Sequence, residues 1–325
     1  MQKKFDVIAL GELLIDFTMA GKSEQDNNLF EACPGGAVSN VLAILNKLGK
    51  KTAFIGKVGN DQFGLLLKST LLETGINTEG LYLDETVNTT LAFVHTMPDG
   101  DRDFSFYRNP GADMMLNEDE IKESFITQGK VLHFGTLSMT HEGVRKATKK
   151  ALKIAKKAGM LISFDPNLRP PLWSNLELAK EQMEYGMNYC DILKIADNEI
   201  RFLTGLDDYD EGIKYLQDKY HIPLILLTLG KDGSRAYYQQ MRVEVPGFAV
   251  NAIETTGAGD TFGGSSLNYI LEHEIDDLTK EQLIEMLTFS NAAAALITLR
   301  KGALRSMPEK AEIISFIEKS RGAKS

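Results

Sequence analysis

The sequence predicts an α/β fold: a doubly wound, mostly parallel sheet flanked by helices, with a small inserted β-rich lid. Three observations carry that expectation. Short apolar runs alternate with longer stretches of helical periodicity along most of the 325 residues. The runs are continuously apolar, as strands covered on both faces must be, because neither face meets water. Two β-rich segments in the first third interrupt the rhythm.

In chain order, the strands expected in the sheet are 5–10, 52–58, 131–134, 160–165, 191–195 and 223–228. Between the first two, Val38, Val41, Leu42, Leu45 and Leu48 recur at helical spacing and predict a helix over 37–48, which Gly49 ends. Near the carboxyl end, Thr279 with Gln282 forms a capping box that opens a helix over 279–299. The interruptions are a hairpin with arms 91–97 and 103–108 around Pro98-Asp99-Gly100, and a polar, loop-like stretch at 21–30. The α/β core therefore comprises 1–12, 34–87 and 111–325, and the lid 13–33 and 88–110.

Composition bounds the function. With 43% hydrophobic and 25% charged residues, the chain can bury a sizeable core. A net charge of −9 argues against a nucleic-acid or anionic-membrane partner, since phosphate surfaces demand clustered cations. The lysines between Lys146 and Lys157 interleave with Ala151, Leu152, Ile154 and Ala155, so they read as the solvated face of a helix. Cys33 and Cys190 are too few and too isolated to imply a disulfide framework. Nothing in the sequence resembles a signal peptide or a membrane span, and the expected setting is the cytoplasm.

The strongest local signal is Glu254-Thr255-Thr256-Gly257-Ala258-Gly259-Asp260-Thr261-Phe262, small residues leading into an acid and a helix. A helix start leaves amides unpaired, and the helix dipole makes them attractive to anions. Gly257 and Gly259 let backbone approach a phosphate, and Asp260 could collect a proton from a hydroxyl. The same residues would also serve as a plain helix cap. No Walker P-loop occurs, and Phe262 stands where a dinucleotide fingerprint needs glycine.

That segment resembles the C-terminal signature of the ribokinase-like (PfkB) carbohydrate kinases. Pro34-Gly35-Gly36-Ala37-Val38-Ser39-Asn40, with Phe54-Ile55-Gly56-Lys57-Val58-Gly59 and Asp61, Phe63 and Gly64, resembles the N-terminal one. The resemblance implies that Asp260 is the general base and that the amides of Gly257, Ala258 and Gly259 form the anion hole. It assigns Asp16, Gly35, Gly36 and Asn40 to the sugar, although an Asp ending an apolar run and a Gly-Gly pair before a helix also read as turn residues. It assigns Lys194, Thr228, Gly230, Lys231, Gly233 and Asn291 to ATP, Asn291 reading equally as a polar residue of a helix surface. Asp165-Pro166-Asn167-Leu168-Arg169 resembles a fructokinase-like motif that puts Asn167 and Arg169 in the cleft; a plain turn is the alternative.

There are departures. Ala196 stands where relatives carry Asn ahead of Glu199, which is left to order Mg²⁺ through water. Glu254 replaces an Asp that, with Thr256, Gly302 and Ser306, belongs to a potassium site in many relatives.

The lid segment Phe104-Ser105-Phe106-Tyr107-Arg108 resembles that of bacterial fructokinases, with Phe106 and Arg108 facing the sugar. Arg108 could bond a neutral sugar or clamp a carboxylate, so 2-keto-3-deoxygluconate kinase is the alternative to fructokinase. Another sugar or nucleoside kinase, a non-catalytic sugar-binding module and, least of all, a dehydrogenase complete the range. A two-stranded flap is marginal alone, which predicts a homodimer joined through the lids.

Overall fold

The computed structural model describes residues 3–96, 102–273 and 275–322. Its strands are β1 (Phe5–Leu10), β2 (Leu14–Lys22), β3 (Asn28–Gly35), β4 (Thr52–Gly59), β5 (Asn77–Asp84), β6 (Leu91–Thr96), β7 (Arg102–Tyr107), β8 (Gly129–Gly135), β9 (Leu161–Asp165), β10 (Ile192–Ala196), β11 (Leu224–Thr228), β12 (Gly233–Tyr238) and β13 (Met241–Pro246). The α-helices are α1 (Ala37–Lys47), α2 (Gln62–Glu73), α3 (Glu123–Ile126), α4 (Glu142–Lys157), α5 (Leu176–Met187), α6 (Asp197–Thr204), α7 (Tyr209–Tyr220), α8 (Ala258–Glu272), α9 (Lys280–Ile297) and α10 (Lys310–Gly322).

Nine strands form the main sheet in the order β13-β12-β11-β10-β9-β8-β1-β4-β5. It is parallel from β11 to β5, and only the β11–β12 and β12–β13 pairings are antiparallel. β1 shows why the strands read as unbroken apolar runs. Val7 and Ala9 join the core under α1, α2, α8, α9 and α10, while Ile8 and Leu10 join the core under α3 to α7. From β1 the chain winds out through β4 and β5, then resumes on β1's other side at β8. That reversal opens a crevice beyond the carboxyl ends of β1 and β8, where open α/β sheets bind ligands.

A second sheet, β3-β2-β6-β7, covers the crevice. β2 pairs antiparallel with β3 and parallel with β6, placing Asp16 opposite Ala92 and Phe17 opposite Phe93. This corrects two expectations. Residues 21–30 are not a loop, because β2 reaches Lys22 and β3 starts at Asn28, with Gly21 opposite Leu29. Their polarity reflects exposure, with Ser23 and Asn27 closing the turn through a 2.8 Å backbone bond. The 91–108 hairpin is not a lone two-stranded flap but half of a four-stranded sheet. Its turn, Pro98-Asp99-Gly100, lies outside the described residues.

The expected strands and helices recur with ends displaced by at most a few residues, α9 opening on the Thr279–Gln282 capping box and ending at Ile297. β5, β12 and β13 were not expected. α4 buries Val144, Ala147, Thr148, Ala151, Leu152 and Ala155, which leaves its lysines on the outer face. Cys33 and Cys190 are both free thiols. Among the described residues, no helix is long and apolar enough to cross a membrane.

Candidate active site

A cavity of about 260 Å³ occupies the crevice. Its floor comes from the carboxyl ends of the central strands: Glu12 after β1, Leu137 after β8, Asn167 and Arg169 after β9, and Lys194 on β10. Its sides are the starts of two helices, Gly36, Ala37 and Asn40 at α1 and Thr255, Thr256, Gly257, Gly259 and Asp260 at α8. Leu14, Asp16 and Phe106 reach in from the lid sheet.

Gly257 caps α8 with φ 79°, and a Cβ there would meet Ala303 Cβ at 2.9 Å. That conformation and that contact leave glycine as the residue that fits. The first helical bond of α8 runs from Thr261 N–H to Gly257 O, so the amides of Gly259 and Asp260 precede the ladder. Of the expected anion-hole amides, that of Ala258 is turned to Thr255 O at 3.3 Å, and Ala258 does not line the cavity.

Asp260 is 9% exposed, and its Oδ2 accepts a 2.8 Å hydrogen bond from Asn40 Nδ2. Burial, reinforced by the negative charge of Asp165, pushes its pKa up to about 6, against the Asn40 bond and the cations Lys194 and Arg169. The carboxylate is thus matched to taking a proton near neutral pH. Asn40 is 3% exposed and its Oδ1 has no hydrogen-bond partner. A buried acceptor left unpaired beside a cavity fits a ligand that brings a hydroxyl.

Lys194 forms an ion pair with Asp165 at 3.2 Å. Burial alone would depress this ammonium, but Asp165, Glu199 and Asp260 overcome it and leave its pKa raised. Its Nζ would lie 3.2 Å from a Cβ at Gly259, so a fixed positive charge borders the start of α8. Arg169 donates to Asn167 Oδ1 at 2.7 Å, and Asn167 adopts φ 45°, which presents both side chains to the cavity.

Other expected site residues lie elsewhere. Arg108 is buried and does not line the cavity. Its guanidinium pairs with Asp113 Oδ2 at 2.6 Å and donates to Thr140 Oγ1 at 2.9 Å and Leu137 O at 3.1 Å. Asn291 is not a surface residue: it accepts from Ser234 Oγ at 2.9 Å and donates to Val245 O at 3.1 Å, pinning the β12–β13 hairpin to α9. Thr228 ends β11, Gly230 lies in the turn after it and Gly233 opens β12, and none of the three lines the cavity. Gly35 packs against Asp16, since a Cβ on it would lie 2.6 Å from Asp16 Oδ2.

Glu199 is 3% exposed, with its two oxygens accepting from the amides of Leu168 at 2.7 Å and Ala196 at 2.8 Å. Among the described residues, no three His, Cys, Asp or Glu side chains cluster as a metal site. Glu254 Oε2 accepts from Gly302 N–H at 3.0 Å, and Ser306 Oγ donates to Lys301 O at 2.7 Å.

Sequence reasoning missed Glu12. It is 3% exposed, lines the cavity and accepts from Ala37 N–H at 2.6 Å. The available signal was an acid directly after an apolar strand and Gly11.

A proton acceptor and open amides at one helix start, cations beside them, and a β sheet over the mouth together describe a phosphotransferase that uses an alcohol as acceptor. The chain belongs to the pfkB family of carbohydrate kinases, whose model matches residues 4–310. It is 40% identical over 314 residues to a probable fructokinase-2 of Arabidopsis thaliana, covering 96% of this chain and 95% of that one. It is 40% identical over 316 residues to fructokinase-1 of Zea mays, covering 97% and 98%. Among solved structures it resembles the fructokinase of Xylella fastidiosa with bound ATP, at TM-score 0.87 and 29% identity, covering 97% of this chain and 99% of that one. The fructokinase of Vibrio cholerae O395 in its fructose, ADP and calcium ion bound form matches at TM-score 0.87 and 30% identity, covering 96% and 99%.

Proposed function

We propose that this protein is an ATP-dependent fructokinase that transfers the γ-phosphoryl group of ATP to a hydroxyl of fructose. The observation that carries the proposal is the Asn40–Asp260 pair, a poised base beside an unpaired buried acceptor in one polar cavity. The sugar lies among Asp16, Gly35, Gly36, Asn40, Asn167 and Phe106. Asp260 takes the hydroxyl proton as that oxygen attacks the γ-phosphorus, and the bond to the departing ADP oxygen breaks. The amides of Gly257 and Gly259, with Lys194 and Arg169, meet the charge on the transferred group. Closure of the lid sheet keeps water from taking the place of the sugar.

ATP extends from the α8 start toward Thr228, Gly230 and Gly233. Glu199, held by two amides, would hold a nucleotide-bound magnesium ion through water, and that ion would supply neutralisation of phosphate charge. A potassium ion would sit among oxygens of Glu254, Thr256, Gly302 and Ser306, although the Glu254 bond to the Gly302 amide competes for that carboxylate. The ATP requirement supports a cytoplasmic setting. Pairing of Arg108 with Asp113 speaks for a neutral sugar over a keto acid, because the guanidinium is engaged within the protein.

The test is ADP release by purified protein over a panel of sugars, with and without potassium. Fructose is expected to give the highest kcat/KM. A higher value with 2-keto-3-deoxygluconate, or no fructose-dependent ADP release, overturns the assignment.

A further inference from the structure

We propose that Glu12 is a positioning residue for the phosphoryl-transfer base: its carboxylate fastens the first amide of α1 and so sets, through Asn40, where Asp260 points. The inference rests on the kinase reading of Asp260 and deepens it.

Three links make the chain. First, α1 has no side-chain cap of its own, because its N-cap is Gly36. Glu12, from the end of β1, supplies the missing acceptor to Ala37 N–H at 2.6 Å. An anion there also meets the positive end of the helix. Second, the strand end and the helix start are in backbone contact. Gly36 sits at φ 136°, and a Cβ on it would lie 2.5 Å from Glu12 O, so the two elements cannot shift independently. Third, Asn40 follows one turn later, its amide bonded to Gly36 O at 2.9 Å and its side chain to Asp260 at 2.8 Å. A displacement at Ala37 therefore reaches the base within one helical turn.

Charge links the same residues. Burial pushes Glu12 up to about 7, and the carboxylates of Asp113 and Asp260 push the same way. The charged groups around the two acids are Asp16 on the lid, Asp113 with its partner Arg108, Asp165, Arg169 and Lys194. The charge of Asp260, ionised first, is thus one of the negative charges that hold back the ionisation of Glu12.

The experiment compares E12Q, E12D and D260N in pH profiles of kcat/KM. Glutamine keeps an acceptor for Ala37 N–H but removes the charge. The parent profile, which carries a Glu12 step above that of Asp260, is expected to lose the step near pH 7 and keep the Asp260 step near pH 6, with the folded state intact. Aspartate is too short to hold the amide, and kcat is expected to fall about tenfold or more at unchanged KM for ATP, in line with the cost of roughly 1 Å of misplacement. Profiles of E12Q and E12D that superimpose on the parent, while D260N is inactive, overturn the role of Glu12 and leave the kinase reading standing. An active D260N overturns the base assignment instead.

Discussion

Asn40 Nδ2 donates to Asp260 Oδ2 at 2.8 Å, joining the starts of two helices that lie 220 residues apart in the chain. α1 and α8 pack directly, with Gly264 so close to Val41 that a Cβ on it would lie 2.9 Å from Val41 O. The bond therefore ties the α1 wall of the cavity to the α8 wall. A substituent in either helix that widened their spacing would separate the base from the acceptor it serves.

Asp260→Asn removes the proton acceptor while keeping the shape of the side chain. It should lower kcat by about 10² to 10⁴ and leave the sugar KM near its parent value. Stability should move the other way. The folded carboxyl titrates near 6 rather than at its ordinary 3.8. A raised folded pKa stabilises the protein below the unfolded value, and that contribution is lost as pH rises through 6. Above that, the buried charge costs on the order of 2–3 kcal/mol. The variant should thus melt higher than the parent at pH 8, with the gap shrinking toward pH 4. A constant gap across that range would mean that Asp260 is not a buried anion at neutral pH.

Asp16 reaches the cavity from β2, and its carboxylate abuts Gly35. Asp16→Ala should raise the sugar KM much more than the ATP KM. Gly35→Ala offers an independent check, since its Cβ would stand 2.6 Å from Asp16 Oδ2 and displace that oxygen. Steady-state kinetics with each substrate varied in turn decide the matter. Were either variant to raise the ATP KM preferentially, Asp16 would not belong to the sugar side.

The lid carries a ring cluster. Phe17 stacks on Phe93 at 4.8 Å, and Phe30 and Tyr107 meet Phe93 edge-on at 5.5 and 5.4 Å. Met19, Leu29, Phe30 and Tyr107 are exposed nonetheless, at 48%, 46%, 38% and 66%. Apolar side chains gathered on one small sheet fit pairing with a second copy of this chain. A dimeric mass by light scattering is the expected result, and Phe30→Glu should shift it to the monomer. A monomeric parent would remove the lid dimer.

What could be read from the sequence depended on whether the signal was local. β1 was legible because burial on both faces leaves an unbroken apolar run. The α8 start was legible because turn, glycines and acid lie within a few residues. β5, β12 and β13 were not legible. Edge or near-edge position lets polar residues such as Asn77, Arg235 and Glu244 enter the strand, and the pattern no longer resembles a core run. Glu12 escaped for another reason: its partner is an amide 25 residues away, which only the packed strand and helix bring together. Arg108 shows the opposite error. The resemblance of its segment to a fructokinase lid implies a sugar contact, yet Asp113, five residues on, binds its guanidinium once the chain turns.

That pair gives the last prediction. Arg108 and Asp113 are 3% and 2% exposed at their side chains, so neither charge can fall back on water if its partner is removed. Asp113 also accepts from Thr90 Oγ1, and Arg108 reaches Leu137 O and Thr140 Oγ1, which ties the end of β7 to the segment after β8. Arg108→Met should destabilise by about 3–5 kcal/mol, the usual cost of leaving a buried partner charge uncompensated. Removing both charges should hurt less, because no orphaned ion remains; Arg108→Met with Asp113→Leu is expected to recover part of the lost stability in urea unfolding. A direct role in sugar binding predicts something different: an unchanged unfolding midpoint with a raised fructose KM. Observing that second pattern would return Arg108 to the substrate site.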